Sequence, residues 1–278
     1  MKSIRTNPPW VAKLLKEVWP TLQKRVTDPN LLPKDGPKTK EYGCGHYGCV
    51  LPANLPGIVC KITTDTTEAK FVQAALTLFQ EEEYLDYRWP PGMIRYFAVY
   101  QIPGKQFRKR PIYVIWRAEA ATTVYVPTKR IHLVLELAHK LRDKIVDKKT
   151  KEVKPDIVDR MYRIIPHAHR PFTALELLND GIGLRFFSNI QKGATGAASL
   201  FVMLEEMLSG LQNIEATHYV GEAMEYYLHE GILLADVHTN NIRGGVPEGF
   251  GSEVNLISDP GHAVFLDPRW VDIKIPTL

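Results

Sequence analysis

The stretch GCGHYGCVLPANLPGIVCKITTDTTE, residues 43–68, contains a glycine-rich loop, then a lysine within an apolar segment, then an acid near the start of a predicted helix. Its first eight residues fit the pattern G-x-G-x-x-G-x-V, in which glycines let backbone N–H groups approach phosphate oxygens closely. A dinucleotide-binding fold needs a helix directly after such a loop, whereas the residues after Val50 are typical of a strand and a turn. The loop therefore disfavours a dinucleotide fold, and a simple glycine-rich hairpin is the alternative to phosphate binding.

A lysine lies within the apolar segment that comes next. Lys61 stands between Cys60 and Ile62, and a buried lysine is costly unless its ammonium group meets an anion. Strand alternation places Lys61 on the same face as Val59 and Thr63, which is the face that the glycine loop would cover. The pattern favours a lysine that contacts phosphate, and a half-exposed lysine on an edge strand is the alternative.

An acid that could pair with Lys61 lies on the following helix, predicted over residues 66–87. At 100° per residue, Glu68 shares the apolar, inward face of this helix with Phe71, Val72, Ala75 and Phe79. Glu81 lies on another face, and Glu82 returns to the Glu68 face about 21 Å further along. Periodicity favours Glu68, while Glu81, Glu82 and a purely helix-capping role for Glu68 stay open.

Two segments of the second half carry oxygen donors. In LLADVHTNNI, residues 233–242, Asp236 is followed five residues later by Asn241. In ISDPG, residues 257–261, Asp259 stands at a strand end before a turn. One oxygen donor from each segment suits Mg²⁺, which takes few protein ligands together with phosphates and water. Each segment alone could be an ordinary turn, so the joint pattern carries the argument.

The order of these five motifs resembles the protein-kinase-like superfamily over residues 42–266. The resemblance implies ATP and Mg²⁺ as cofactors, with adenine near residues 116–119. The nucleotide-binding residues that it implies are Gly43, Gly45, Gly48, Val50, Lys61, Trp116 and Ala118. The catalytic residues that it implies are Asp236, Lys61 and Glu68, and the metal ligands are Asn241 and Asp259.

The chain also departs from the family pattern. Leu234-Ala235-Asp236 replaces H-R-D, and Pro260 replaces the Phe of D-F-G. His238 stands where many protein kinases have Lys, and it could contact the transferred phosphate or have a neutral packing role. Only 17 residues follow Gly261, without an A-P-E motif. We expect a minimal, atypical kinase that lacks a conventional activation segment.

The predicted order of elements is strand, strand, helix, strand, strand, followed by helices, which is typical of an α+β fold. Strands are predicted at 48–51, 58–62, 93–102 and 111–116, with a loop at 103–110, and later helices at 130–146, 197–208 and 215–229. The resemblance implies a two-lobed protein-kinase-like fold, with a small β-rich N-lobe that carries one helix and a mainly helical, shortened C-lobe. The expected division is an N-terminal helix and loop extension at 1–41, an N-lobe at 42–118 and a C-lobe at 119–278.

Composition excludes several classes of protein. The chain has 278 residues, of which 45% are hydrophobic and 24% are charged, values that exclude a disordered chain or a coiled coil. Three cysteines exclude a disulfide scaffold. The apolar runs are too short for a membrane helix, and a net charge of +4 gives no reason to expect nucleic acid. We expect a cytoplasmic protein, or one in a host cytosol if it is a secreted effector or a phage product.

The resemblance implies an ATP-dependent phosphotransferase, and the main hypothesis is an atypical protein Ser/Thr kinase with an unidentified protein substrate. A small-molecule kinase of the aminoglycoside or choline type is one alternative. A nucleotide-binding pseudokinase is the other, although the complete set of Lys61, Asp236, Asn241 and Asp259 argues against it.

Overall fold

The structure is a computed structural model, which describes residues 48–52, 57–82, 89–107, 109–120, 128–150, 152–154, 197–246 and 251–277. These residues form two compact units. The first unit contains the described residues up to Trp89, Ile94–Ala120 and those from Ile273 onward. The second unit contains Pro90–Met93 and the described residues between Ala120 and Ile273. The division into an N-lobe at 42–118 and a C-lobe at 119–278 stays a prediction.

The first unit is built on a four-stranded antiparallel sheet with the order β1-β2-β4-β3. Its strands are β1 (Gly48–Pro52), β2 (Ile58–Thr63), β3 (Tyr96–Phe107) and β4 (Arg110–Ala118), and helix α1 (Thr66–Glu82) connects β2 to β3. Valine, isoleucine and aromatic residues fill β2 and β4, as expected for strands buried on a pleated sheet. The predicted order of strand, strand, helix, strand, strand is confirmed.

The loop predicted at 103–110 is wrong for most of its length. β3 continues to Phe107 and β4 begins at Arg110, with a shift of register between Gln101 and Gln106. Gly104 lies in this irregular part with φ of +66°, a left-handed conformation that glycine adopts without strain. The irregularity accommodates the residues that are weak strand formers, so the hairpin extends beyond the predicted ends of its strands.

Helix α1 begins at a side-chain cap. The Oδ1 atom of Asp65 accepts hydrogen bonds from the backbone N–H groups of Thr67 at 2.9 Å and Glu68 at 3.3 Å, which satisfies donors that the first turn leaves unpaired. The inward face of α1 is buried and includes Ala69, Phe71, Val72, Ala75 and Leu78. Phe71 meets the ring of Tyr96 edge-on at 6.3 Å. The apolar face predicted for this helix is confirmed, and its predicted last residues, 83–87, lie outside the described residues.

The second unit is mainly helical. Its helices are α2 (Thr128–Ile145), α3 (Ala197–Gln212), α4 (His218–His229) and the short α5 (Pro268–Val271), with 3₁₀ turns at Glu215–Thr217 and Thr239–Asn241. Two antiparallel pairs of strands complete it: β5 (Ile232–Leu234) with β8 (Ala263–Phe265), and β6 (Ile242–Gly245) with β7 (Val254–Ile257). The three predicted helices of this region are confirmed, whereas the N-terminal helix and loop extension predicted at 1–41 lies outside the described residues.

Helices α3 and α4 hold a partly buried acid–imidazole pair. Nε2 of His229 lies 3.1 Å from Oε1 of Glu205. The hydrogen bond with Glu205 raises the pKa of His229. Burial raises the pKa of Glu205, and the imidazole partly offsets this effect. Both shifts favour the protonated groups in the folded chain, so this pair should stabilise the protein less as the pH rises.

The described helices include none that is both long enough and apolar enough to cross a membrane.

Candidate functional site

Lys61 lies at the centre of the sheet of the first unit. Its strand, β2, is flanked by β1 and β4, and Lys61 stands opposite Val50 on one side and Ile115 on the other. Residues directly opposite each other in a sheet point to the same face, so these three side chains share one face. Lys61 is only 7% exposed, which makes an anionic partner necessary.

That partner is Glu68. Nζ of Lys61 lies 2.5 Å from Oε1 of Glu68, and the two side chains are 9% and 4% exposed. Glu68 is in the first turn of α1, where the helix dipole favours a negative charge. Glu68, Glu81 and Glu82 were the three candidates for the acid that pairs with Lys61, and the structure pairs Lys61 with Glu68. The side chains of Glu81 and Glu82 lie outside the described residues.

In the second unit, Asp236 begins a loop whose conformation is held by hydrogen bonds to its backbone carbonyl groups. Nδ2 of Asn241 donates a hydrogen bond to the carbonyl oxygen of Asp236 at 2.8 Å. The backbone N–H of Asn241 donates to the carbonyl of His238 at 2.8 Å, and that of Ala235 donates to the carbonyl of His262 at 3.2 Å. The spacing D-x-x-x-x-N therefore closes a tight loop that holds its acid and its amide together.

The D-P-G segment packs against this loop. The N–H of Gly261 donates to Oδ1 of Asp259 at 3.1 Å, and Gly261 has φ of +58°. A Cβ atom on Gly261 would lie 2.5 Å from Oδ2 of Asp236, so only glycine fits both the conformation and the space. Ser258 donates to the carbonyl of Asn241 from its N–H at 2.7 Å and its hydroxyl at 3.0 Å. Two separate segments thus bring Asp236, Asn241 and Asp259 together.

Two of these side chains have the chemistry of a magnesium site. Because the amide nitrogen of Asn241 donates to Asp236, its Oδ1 atom is the one that could bind a cation. Asp259 adds a carboxylate. The described residues contain no group of three or more His, Cys, Asp and Glu side chains that could hold a metal ion. The donor set fits Mg²⁺, which completes its shell with phosphates and water, and does not fit a metal held by protein ligands alone.

The imidazole of His238 is oriented by the 3₁₀ turn that follows it. Its Nδ1 atom accepts a hydrogen bond from the N–H of Asn240 at 3.2 Å. An accepting Nδ1 places the proton of the neutral ring on Nε2. His238 therefore presents an Nε2–H donor while capping the turn, which is compatible with both roles left open by the sequence.

The predicted nucleotide-binding residues of β1 lie beside Lys61 where they are described. Val50 is opposite Lys61 and Gly48 is opposite Thr63. A Cβ atom on Gly48 would lie 2.2 Å from the carbonyl oxygen of Ile62, so this position requires glycine. Gly43 and Gly45 lie outside the described residues.

The side chain of Trp116 does not share the Lys61 face. Trp116 stands opposite Cys60, so its indole points to the other face, where it is buried against the ring of Tyr100 at 5.9 Å. The N–H of Ala118 already donates to the carbonyl of Arg95 at 2.8 Å. Strand alternation turns the Trp116 ring away from the Lys61 face, and the Ala118 N–H is already hydrogen-bonded. Neither group is therefore available for the predicted contact of residues 116–119 with adenine.

Arg117 lies between these two residues and is not among the site residues expected from the sequence. Arg117 is opposite Val59 and therefore on the same face as Lys61, and it is only 8% exposed. The available signal was a cation that directly follows the apolar run PIYVIW, residues 111–116, two residues after Ile115. Only the strand register shows which face it occupies.

Comparisons with known proteins identify no family. No family model matches the chain, and no curated protein matches it. Among solved structures, the chain is similar to the spectinomycin phosphotransferase APH(9)-Ia in complex with ADP and spectinomycin, with 10% sequence identity and a TM-score of 0.32. The match covers 91% of this chain and 69% of that one. A likeness at this level supports no conclusion about activity, which has to rest on the residues themselves.

Proposed function

We propose that this protein is a phosphotransferase that moves the γ-phosphoryl group of a magnesium-bound nucleoside triphosphate to a hydroxyl group. The observation that carries the proposal is the close packing of Gly261 against the carboxylate of Asp236. This contact brings the segment of Asp259 next to Asp236, and a separate hydrogen bond links Asn241 to the carbonyl of Asp236. A base next to a two-ligand magnesium site is the arrangement that phosphoryl transfer to a hydroxyl requires.

The reaction needs positioning and charge neutralisation. Lys61 binds the α and β phosphates, and Glu68 holds its ammonium group in place. Asn241 and Asp259 would hold Mg²⁺, which neutralises charge on the phosphate oxygens when bound. Asp236 orients the acceptor hydroxyl and takes its proton as the acceptor oxygen bonds to the γ-phosphorus. The bond from that phosphorus to the β–γ bridging oxygen breaks, and the nucleoside diphosphate leaves.

A small molecule is the acceptor that the fold favours. Two residues after Gly261 the chain enters β8, which pairs with β5. The N–H groups of Leu266 and Asp267 then donate to the carbonyl of Gly231 at 2.7 and 3.2 Å. In protein kinases, an activation segment follows the D-x-G motif, whereas here these residues fold back at once into a sheet and a helix. Nothing in the described residues supports the protein Ser/Thr specificity that the sequence favours.

The test measures transfer from γ-labelled nucleoside triphosphates to three acceptors: an aminoglycoside, choline and casein. Asp236→Asn should lower transfer by about 10²- to 10⁴-fold because the general base is lost. Asp272→Asn, at an exposed carboxylate, is the matched control and should leave transfer unchanged. Label on a small hydroxyl compound supports the proposal, and label on casein alone would restore the protein-kinase hypothesis. Nucleotide-dependent thermal stabilisation without any transfer would indicate a pseudokinase instead.

A further inference from the structure

Arg117 is a buried cation that the proposed mechanism does not use. It lies near the end of β4, between Val59 of β2 and Tyr96 of β3, and is 8% exposed. Arginine is almost never buried to this extent without a partner, because removing a guanidinium group from water is unfavourable unless its donors are satisfied.

The donors of Arg117 are poorly satisfied. Its Nη1 atom donates to the carbonyl of Ala118 at 3.4 Å, which is longer than a normal N–H···O hydrogen bond. Its Nε atom is buried and has no hydrogen-bond partner in the described part of the chain. No carboxylate forms an ion pair with Arg117 among the described residues. A guanidinium carries five N–H donors, so this group is suited to receive acceptors from a ligand.

The strand register shows where such a ligand would meet Arg117. On this face of the sheet, Gly48 is opposite Thr63, Val50 is opposite Lys61, and Val59 is opposite Arg117. Lys61 therefore lies between the glycine end of the sheet and Arg117. Val59, the residue opposite Arg117, is two residues, or about 6.6 Å, along β2 from Lys61. A triphosphate held near Gly48 and Lys61 would direct its nucleoside toward Arg117.

We propose that Arg117 recognises the base of the donor nucleotide and selects guanine over adenine; this deepens the proposed function and rests on it. Guanine presents two acceptors, O6 and N7, that match two parallel N–H groups of a guanidinium. Adenine presents an amino group in place of O6, so it would set a donor against the donors of Arg117. The expected donor is therefore GTP rather than the ATP implied by the family resemblance.

The test measures the dissociation constants of GDP and ADP by isothermal titration calorimetry. Wild-type protein should bind GDP about 5- to 150-fold more tightly than ADP, the preference expected from one bidentate pair. Arg117→Met should remove this preference by weakening GDP binding alone. Arg117→Lys keeps the charge without the planar fork and should lose the preference as well, which keeps the test decisive if the methionine variant does not fold. Arg110→Met, at an exposed arginine of the same strand, is the control and should keep the preference.

Two results would overturn the base assignment and leave the proposed function intact. One is wild-type protein that binds ADP as tightly as GDP. The other is an equal loss of GDP and ADP affinity in Arg117→Lys, which would indicate a contact with phosphate. Wild-type protein that binds neither nucleotide would overturn the proposed function and the base assignment with it.

Discussion

Removing one partner of the buried Lys61–Glu68 pair should destabilise the protein more than replacing both partners. The charged atoms lie 2.5 Å apart, and the side chains are 9% and 4% exposed. At an effective dielectric constant of about 20, their Coulomb attraction is about 7 kcal/mol, and burial costs several kcal/mol for each ion. The pair as a whole is close to neutral, but a charge left alone keeps its burial cost.

We expect Lys61→Met and Glu68→Leu each to lower the free energy of unfolding by about 3 to 5 kcal/mol. In a chain of this size, that loss lowers the thermal midpoint by about 6 to 20 °C, measured by circular dichroism. The double variant should unfold at a higher temperature than either single variant, because it leaves no uncompensated charge.

Two exposed residues of α2 provide the matched controls. Lys140→Met and Glu136→Leu change the same residue types at the surface and should each alter the free energy of unfolding by no more than about 0.5 kcal/mol. If the losses of the two buried variants simply add in the double variant, the side chains act independently and the reasoning is refuted.

Three further predictions concern other parts of the chain. Gly261→Ala should abolish phosphoryl transfer by displacing the nearby catalytic carboxylate; Gly104→Ala, also at positive φ but with open space around it, should cost only about 1–2 kcal/mol of backbone strain and keep the activity. His229→Gln should lower the thermal midpoint more at about pH 6 than at about pH 9. The reason is that a histidine with a raised pKa stabilises the fold at low pH, and this contribution is lost as the pH rises through the folded pKa. An equal effect at both pH values would show that the Glu205 hydrogen bond does not shift the pKa of His229. Burial raises the pKa of Cys60 to about 12, so its thiol should be unreactive in the folded chain. In a variant with the other two cysteines replaced by serine, iodoacetamide should label the protein only after unfolding. Labelling of the native chain would contradict the buried position of Cys60.

The sequence by itself determined the order of strands and helix in the first unit, the three long helices of the second unit and the inward face of α1. These features follow from local rules, since alternation identifies β2 and a period of 3.6 residues places Glu68 among apolar side chains. The glycine conformation at Gly261 also belongs to a short turn whose residues are adjacent in the chain. Local periodicity can therefore predict which side chains share a face of one element.

Only the tertiary structure decided which elements those faces meet. The choice of Glu68 for Lys61 depends on how α1 packs against the sheet, and the contact of Gly261 with Asp236 joins segments that are remote in the chain. The burial of Arg117 beside Val59 depends on strand register, and a shift by one residue would move its side chain to the opposite face. Long-range register and packing arise from the whole fold, so no window of sequence contains them.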